Sequence, residues 1–119
     1  MDLSIIMINH NTKALTTQAI QSIFDTNPQI AYEIIVVDNS DLAEETYTEK
    51  QAGVTILSNV DNKGFAHGCN TGAAIAQGEY LLFLNSDTIM QPDTLDKLVD
   101  GTGLSRAQLL TDADLTMAQ

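Results

Sequence analysis

Glu33-Ile34-Ile35-Val36-Val37-Asp38-Asn39-Ser40 is the stretch whose reading decides the fold. Its Ile-Ile-Val-Val centre is apolar without alternation, so a strand built from it must be covered on both faces. The β-branched residues suit extended backbone, where they pack well on the pleated surface. The apolar run stops, without a spacer, at a carboxylate, an amide and a hydroxyl. Strands covered on both faces belong to parallel sheets, and open parallel sheets bind ligands beyond the carboxyl ends of their strands. The polar triplet Asp38-Asn39-Ser40 therefore falls where a site is expected.

The same pattern recurs on either side. Leu3-Ser4-Ile5-Ile6-Met7-Ile8 ends in Asn9-His10-Asn11, and Tyr80-Leu81-Leu82-Phe83-Leu84 ends in Asn85-Ser86-Asp87. Val54-Thr55-Ile56-Leu57 is a further strand. Leu15, Ala19, Ile20, Ile23 and Phe24 recur at helical spacing behind a cap at Asn11 or Thr12, and that helix stops near Asn27-Pro28. The polar residues 41–51 predict a short exposed helix. Residues 66–77 predict a helix of small residues closed by Gly78 as its C-cap, and Pro92 opens a helix reaching about Val99. Strands alternating with helices predict an α/β fold with a parallel sheet and right-handed crossovers.

Composition narrows the partners. The chain has 119 residues, which favours one domain, and 44% of them are hydrophobic. A single cysteine, Cys69, leaves no internal disulfide. The opening Met1-Asp2-Leu3-Ser4 lacks the positive region of a signal peptide, and no apolar run nears the roughly 20 residues that span a bilayer. A cytoplasmic location, with a peripheral one at the inner membrane face as the alternative, is the expectation. Asp and Glu number 16 against 5 Lys and Arg, a net charge of -11. Phosphate backbones demand clustered cations, so nucleic acid is excluded as a main partner. A smaller phosphate ligand would need helix-terminus amides or a divalent cation to offset the acidic field.

Asn62-Lys63-Gly64-Phe65-Ala66-His67-Gly68-Cys69-Asn70-Thr71-Gly72 repeats glycine every four residues. On a helix, Gly68 and Gly72 share a face, with Gly64 at the entrance. Glycine costs roughly 1 kcal/mol in a helix interior, so the pair needs a compensating contact. Two contacts qualify: close packing on the sheet, or close approach of a ligand. The spacing is neither the dinucleotide fingerprint nor a P-loop, which sets aside an oxidoreductase. Asn9 after the first strand and Ser58-Asn59 after the third set aside a phospho-receiver domain, which needs acids there. His67 reads as a surface or capping residue, Lys63 as a turn lysine and Cys69 as a small core residue.

Taken in order, Ser4 to Asn11, Ile34 to Ser40, Asn62 to Gly72 and Tyr80 to Thr88 resemble family 2 glycosyltransferases, most of all their rhamnosyltransferase-like group. The resemblance covers about residues 3–99. It implies the parallel-sheet nucleotide-binding half of a GT-A (Rossmann-like) fold in residues 1–100, followed by an atypical tail, 101–119, with one helix near 104–110. It implies an inverting transfer of sugar from a nucleotide-diphosphate sugar, of UDP or dTDP type, to a saccharide, lipid or protein acceptor. Asn9, His10, Asn11, Asp38, Asn39, Lys63, Gly64 and Asn70 would form the nucleotide site, with Asp38 accepting the N3–H of uracil or thymine. Asn85-Ser86-Asp87 stands in place of the DxD motif, so Asp87, with Asn85, would hold Mg2+ or Mn2+. The first position departs from that motif: Asn85 offers a carbonyl oxygen but no charge. Family members are about twice as long or more, so the acceptor cleft and general base are expected outside this chain. A homo-oligomer is the corresponding expectation for surface left uncovered. The alternative is a module that binds nucleotide-sugar without turning it over.

Overall fold

The computed structural model describes residues 1–58 and 61–96. Four strands form one sheet: β1 (Leu3–Asn9), β2 (Tyr32–Asp38), β3 (Val54–Leu57) and β4 (Tyr80–Leu84). All their pairings are parallel, in the order β3-β2-β1-β4. Helix α1 (Lys13–Asp25) joins β1 to β2, and α2 (Phe65–Ala73) joins β3 to β4. The expected α/β parallel sheet is therefore the fold. Residues 94–96 are helical. The rest of the helix expected to about Val99, and the tail with its helix near 104–110, lie outside the described residues.

The unbroken apolar strands are buried on both faces. Leu3, Ile5, Met7, Ile34 and Val36 meet Ala19, Ile20 and Ile23 of α1. Ile6, Ile35, Val37 and Leu81 form the other face, against Ala73 at the end of α2 and Ala76 just beyond it. Burying a large aliphatic side chain contributes roughly 1.5–3 kcal/mol, which makes these two clusters the main driving force of the fold.

Helix α1 departs from expectation in two respects. Thr12 is its N-cap residue but makes no side-chain capping bond. The first-turn N–H of Lys13 donates instead to Glu45 Oε2 at 3.0 Å. That carboxylate arrives from a 3-10 turn, Ala43–Glu45, within the polar stretch expected to be helical. The buried stripe is Thr16, Ala19, Ile20 and Ile23, while Leu15 is 41% exposed. The end falls as expected: Asn27 takes the left-handed conformation, φ 45°, that commonly closes a helix. Tyr47, four residues after the start of that turn and inside the polar stretch, is fully buried against the α1 face, a core residue the polar context concealed.

Helix α2 settles the role of its glycines. A Cβ added at Gly68 would lie 2.6 Å from Ile8 Cδ1, and one at Gly72 would lie 2.7 Å from Ile6 Cγ2 and 3.1 Å from Val37 Cγ2. Both glycines face the sheet, so they serve close packing. The helix ends at Ala73, with Ala74 as its C-cap, short of the expected Gln77. Gly78 is not the C-cap. Its missing Cβ makes room for the β1 backbone, which would stand 2.5 Å away at Ser4 N, and its N–H donates to Ser4 Oγ at 2.8 Å. Gly72→Ala should destabilise the fold by about 1 kcal/mol in urea unfolding: overpacking against stiff β-branched neighbours outweighs the better helix propensity of Ala. A more stable variant would show that the sheet yields there. Among the described residues no helix is long and apolar enough to cross a membrane.

Candidate functional site

The strand order dictates where a crevice must open. From β1 the chain steps outward to β2 and β3, then returns to the other side of β1 with β4. The strand order therefore reverses at β1, and the gap between the ends of β1 and β4 is the topological switch point. A cavity of about 380 Å³ lies there, lined by Ile8, Thr12, Leu15, Phe65, Leu84, Asn85, Ser86 and Asp87. Of the residues named from the sequence, only Asn85 and Asp87 line it. Exposed Leu15 belongs to its wall, which accounts for its absence from the core.

Asn9, His10, Asn11, Asp38 and Asn39 gather one strand away, where β1 and β2 end level and Asn9 pairs with Asp38. Asn9 is wholly buried and bonded within the chain. Its Oδ1 accepts from Thr16 Oγ1 at 2.7 Å and Thr12 Oγ1 at 3.2 Å. Its Nδ2 donates to Asp38 Oδ1 at 2.8 Å and to the Glu45 carbonyl at 2.9 Å. Asp38 is 2% exposed, and its Oδ1 also accepts from Ser40 Oγ at 2.8 Å. These two strand-end residues thus hold the rim together. Asn11 does the same from a left-handed backbone, φ 55°. Its N–H donates to Ser40 Oγ at 2.9 Å, its Nδ2 to Asp41 Oδ1 at 2.6 Å, and its Oδ1 accepts from Leu42 N–H at 3.1 Å. The bond from Asn11 holds the exposed Asp41 carboxyl below the usual range; slight desolvation opposes it and His10 assists.

His10 is exposed, with Nδ1 3.1 Å from both the backbone carbonyl and Oδ1 of Asn39. A backbone carbonyl only accepts, so the ring carries a proton on Nδ1. Asn39 is 8% exposed, and its Nδ2 reaches toward Asn62 Oδ1 at 3.5 Å. Lys63 and Gly64 are exposed at the entrance of α2, and Asn70 is half-buried on that helix. Gly64, at φ 99° and ψ 166°, occupies backbone space that only glycine enters readily.

Two helix N-termini point toward this rim region, in different states. Glu45 already accepts from the Lys13 N–H of α1. Helix α2 has neither a side-chain cap nor an acidic residue in its first turn. The donors at the end of β4 are the amide of Asn85, the hydroxyl of Ser86 and the carboxylate of Asp87. Hard oxygen donors with one carboxylate fit a cation such as Mg2+ or Mn2+, which keeps several waters and completes its shell with substrate phosphates. They do not form a cage: among the described residues no group of three or more His, Cys, Asp or Glu comes together.

Ser40 joins the rim with the rest of its triplet, and Thr16 and Glu45 join it although the sequence did not single them out. One signal existed for Thr16, a polar residue at a stripe position, three and four residues before Ala19 and Ile20. Cys69 is fully buried, and desolvation pushes its thiol up to about 12. Ellman's reagent at pH 8 should leave the native protein unlabelled and titrate one thiol after denaturation, because the thiolate is the nucleophile. Labelling at a free-thiol rate in the native state would contradict the burial.

Comparison with known proteins places this geometry. Residues 4–103 match Glycosyl transferase family 2. An uncharacterized glycosyltransferase of Haemophilus influenzae is 32% identical over 100 residues, 82% of this chain and 33% of that protein. The structure of S. aureus TarS 1-349 in complex with UDP-GlcNAc shares the fold at a TM-score of 0.61 and 22% identity, over 87% of this chain and 30% of that one. Mannosyltransferase PcManGT from Pyrobaculum calidifontis, in complex with GDP-Man and Mn2+, does so at 0.63 and 20%, over 78% of this chain and 30% of that one. The chain thus spans about a third of the length of these proteins, and at such identities the two structures attest the fold alone. With a matching profile over most of its length and the GT-A sheet of its structural neighbours, the chain belongs to glycosyl transferase family 2.

Proposed function

We propose that this chain is the donor-binding portion of a glycosyltransferase that takes a nucleotide-diphosphate sugar. The carrying observation is the cavity at the β1/β4 switch point, with Asp87 and Asn85 on its wall and the Asp38 rim one strand away. The ligands of TarS, UDP-GlcNAc, and of PcManGT, GDP-Man with Mn2+, support the ligand class. In this reading the nucleoside lies over the rim of His10, Asn39, Lys63, Gly64 and Asn70. Asn9 and Asn11 hold that rim in shape, and Asp38 accepts the ring N–H of uracil or thymine. A carboxylate suits that task because, when ionised, it only accepts. The diphosphate points toward Asn85 and Asp87, which would hold Mg2+ or Mn2+. A cation bound there supplies positive charge against the leaving diphosphate. It would also offset the net charge of -11 that otherwise repels a phosphate ligand.

The acceptor is a saccharide, a lipid or a protein, and no described residue is assigned the general base. The location proposed is the cytoplasm, peripheral to the inner membrane face where the acceptor is lipid-borne. Self-association would use exposed apolar side chains such as Leu42, Ile75 and Ile89; light scattering that finds a monomer at high concentration removes it. Calorimetric titration with UDP, dTDP and GDP, with and without Mn2+, tests the central reading. Binding of a pyrimidine diphosphate strengthened by Mn2+ is expected, and no binding of any of the three refutes it. Hydrolysis of a bound donor marks an enzyme, whereas binding without turnover favours a binding module.

A further inference from the structure

The buried rim carries an ordering of bonds that goes beyond holding two loops together. Asp38 has two carboxylate oxygens, and its two side-chain bonds to described residues, from Asn9 Nδ2 and Ser40 Oγ at 2.8 Å each, end on Oδ1. Two donors from different directions on one oxygen fix the plane of the carboxylate as well as its place. The donors are themselves oriented. An amide can turn over and exchange its oxygen for its nitrogen, which would set a carbonyl against Asp38. The Glu45 carbonyl, which can only accept, opposes this by taking Nδ2 at 2.9 Å, and the Thr16 hydroxyl, from the buried stripe of α1, holds the other end by donating to Asn9 Oδ1 at 2.7 Å, beside Thr12 Oγ1 at 3.2 Å. Ser40 Oγ accepts from the Asn11 N–H at 2.9 Å and from Asn9 Nδ2 at 3.2 Å, and of the acceptors in reach of its own proton Asp38 Oδ1 at 2.8 Å is nearer than the carbonyls of Asn9 at 3.1 Å and Glu45 at 3.4 Å.

We propose that Thr16 and Ser40 are positioning residues for base selection: Thr16 through Asn9, and Ser40 directly, fix the carboxylate of Asp38 so that Oδ2 receives the ring N–H of uracil or thymine. This rests on the reading of Asp38 given above. Neither residue touches the nucleotide. Thr16 lies wholly inside, on the face of the sheet opposite α2. The selectivity follows from base chemistry. Uracil and thymine carry N–H at N3, whereas cytosine presents a lone pair there, which a fixed carboxylate oxygen repels. A carboxylate free to rotate or withdraw loses that discrimination while the diphosphate contacts remain.

The test compares UDP, CDP and inorganic pyrophosphate by calorimetry in Mn2+, for the wild type, Thr16→Val, Thr16→Ser, Ser40→Ala, Ser40→Thr and Asp38→Asn. Thr16→Val keeps the branched shape and deletes the hydroxyl. Thr16→Val and Ser40→Ala should each lower the UDP-to-CDP affinity ratio about tenfold with pyrophosphate affinity unchanged. Thr16→Ser and Ser40→Thr, which retain the hydroxyl, should preserve the ratio. Equal losses for UDP and pyrophosphate, or an unchanged ratio in both deletion variants, overturn the proposal. Should either deletion variant fail to melt cooperatively, the other one and the two hydroxyl-retaining variants decide. Asp38→Asn separates the layers. A ratio unchanged in Asp38→Asn refutes base reading by Asp38, and the proposal with it. A ratio that collapses in Asp38→Asn alone refutes only the positioning.

Discussion

Asp87→Ala is expected to remove the gain in nucleotide-diphosphate binding that Mn2+ brings, a fall of roughly 100-fold in the Mn2+-dependent affinity. Asp87 is the one carboxylate among the residues lining the switch-point cavity, beside neutral Asn85 and Ser86. Removing it leaves only dipoles to hold a hard cation, and an acidic protein then faces a diphosphate without a bridging charge. Asp87 is exposed, so its loss should change the melting temperature little. Asp87→Asn keeps an oxygen donor and should fall between the two. The measurement is a calorimetric titration of UDP at several Mn2+ concentrations. If the alanine variant retains the full dependence on Mn2+, the cation is held elsewhere and the assignment fails.

The second large effect concerns stability. Asn9→Ala should destabilise the fold by roughly 3 kcal/mol, because it strands several buried partners at once. The hydroxyl of Thr16, the carbonyl of Glu45 and Oδ1 of Asp38 each lose a bond made inside the protein. The carboxylate matters most, since a buried charge deprived of a donor keeps its desolvation cost in full. Urea unfolding monitored by circular dichroism reads the change. A loss below about 1 kcal/mol would show that water enters the rim and replaces the amide, contrary to a buried polar network whose members depend on one another. Asn9→Asp is the informative companion. It preserves shape but replaces the amide donor with a second acceptor against Asp38, so it should cost at least as much as alanine.

Much of the fold was legible because its signals are local. The unbroken Ile34–Val37 run and its counterpart in β1 could only be strands covered on both faces, and they are. The placement of polar triplets at strand ends followed from the same reading, since a parallel sheet brings its carboxyl ends to one edge. The misses share a cause. Glu45 at the start of α1, Tyr47 in the core and Gly78 against the β1 backbone all depend on contacts between segments distant in sequence. Helix capping rules look to the residue beside the helix. Nothing in Thr12-Lys13 announces that a carboxylate more than thirty residues away will do the work.

The site divides along the same line. By itself the sequence determined the composition of the rim: which strands end in amides and carboxylates, that Asp87 carries the charge beyond β4, and that glycines line one face of a helix. It could not say which of those groups face outward. That was decided by the level ending of β1 and β2, which sets Asn9 beside Asp38, and by the return of the chain to the far side of β1, which opens the crevice at Asp87. The physical reason is that a side chain's chemistry is local, whereas its availability depends on which neighbours satisfy it first. Asn9 has the amide expected of a ligand-binding residue, but the fold engages both ends of that amide within the protein.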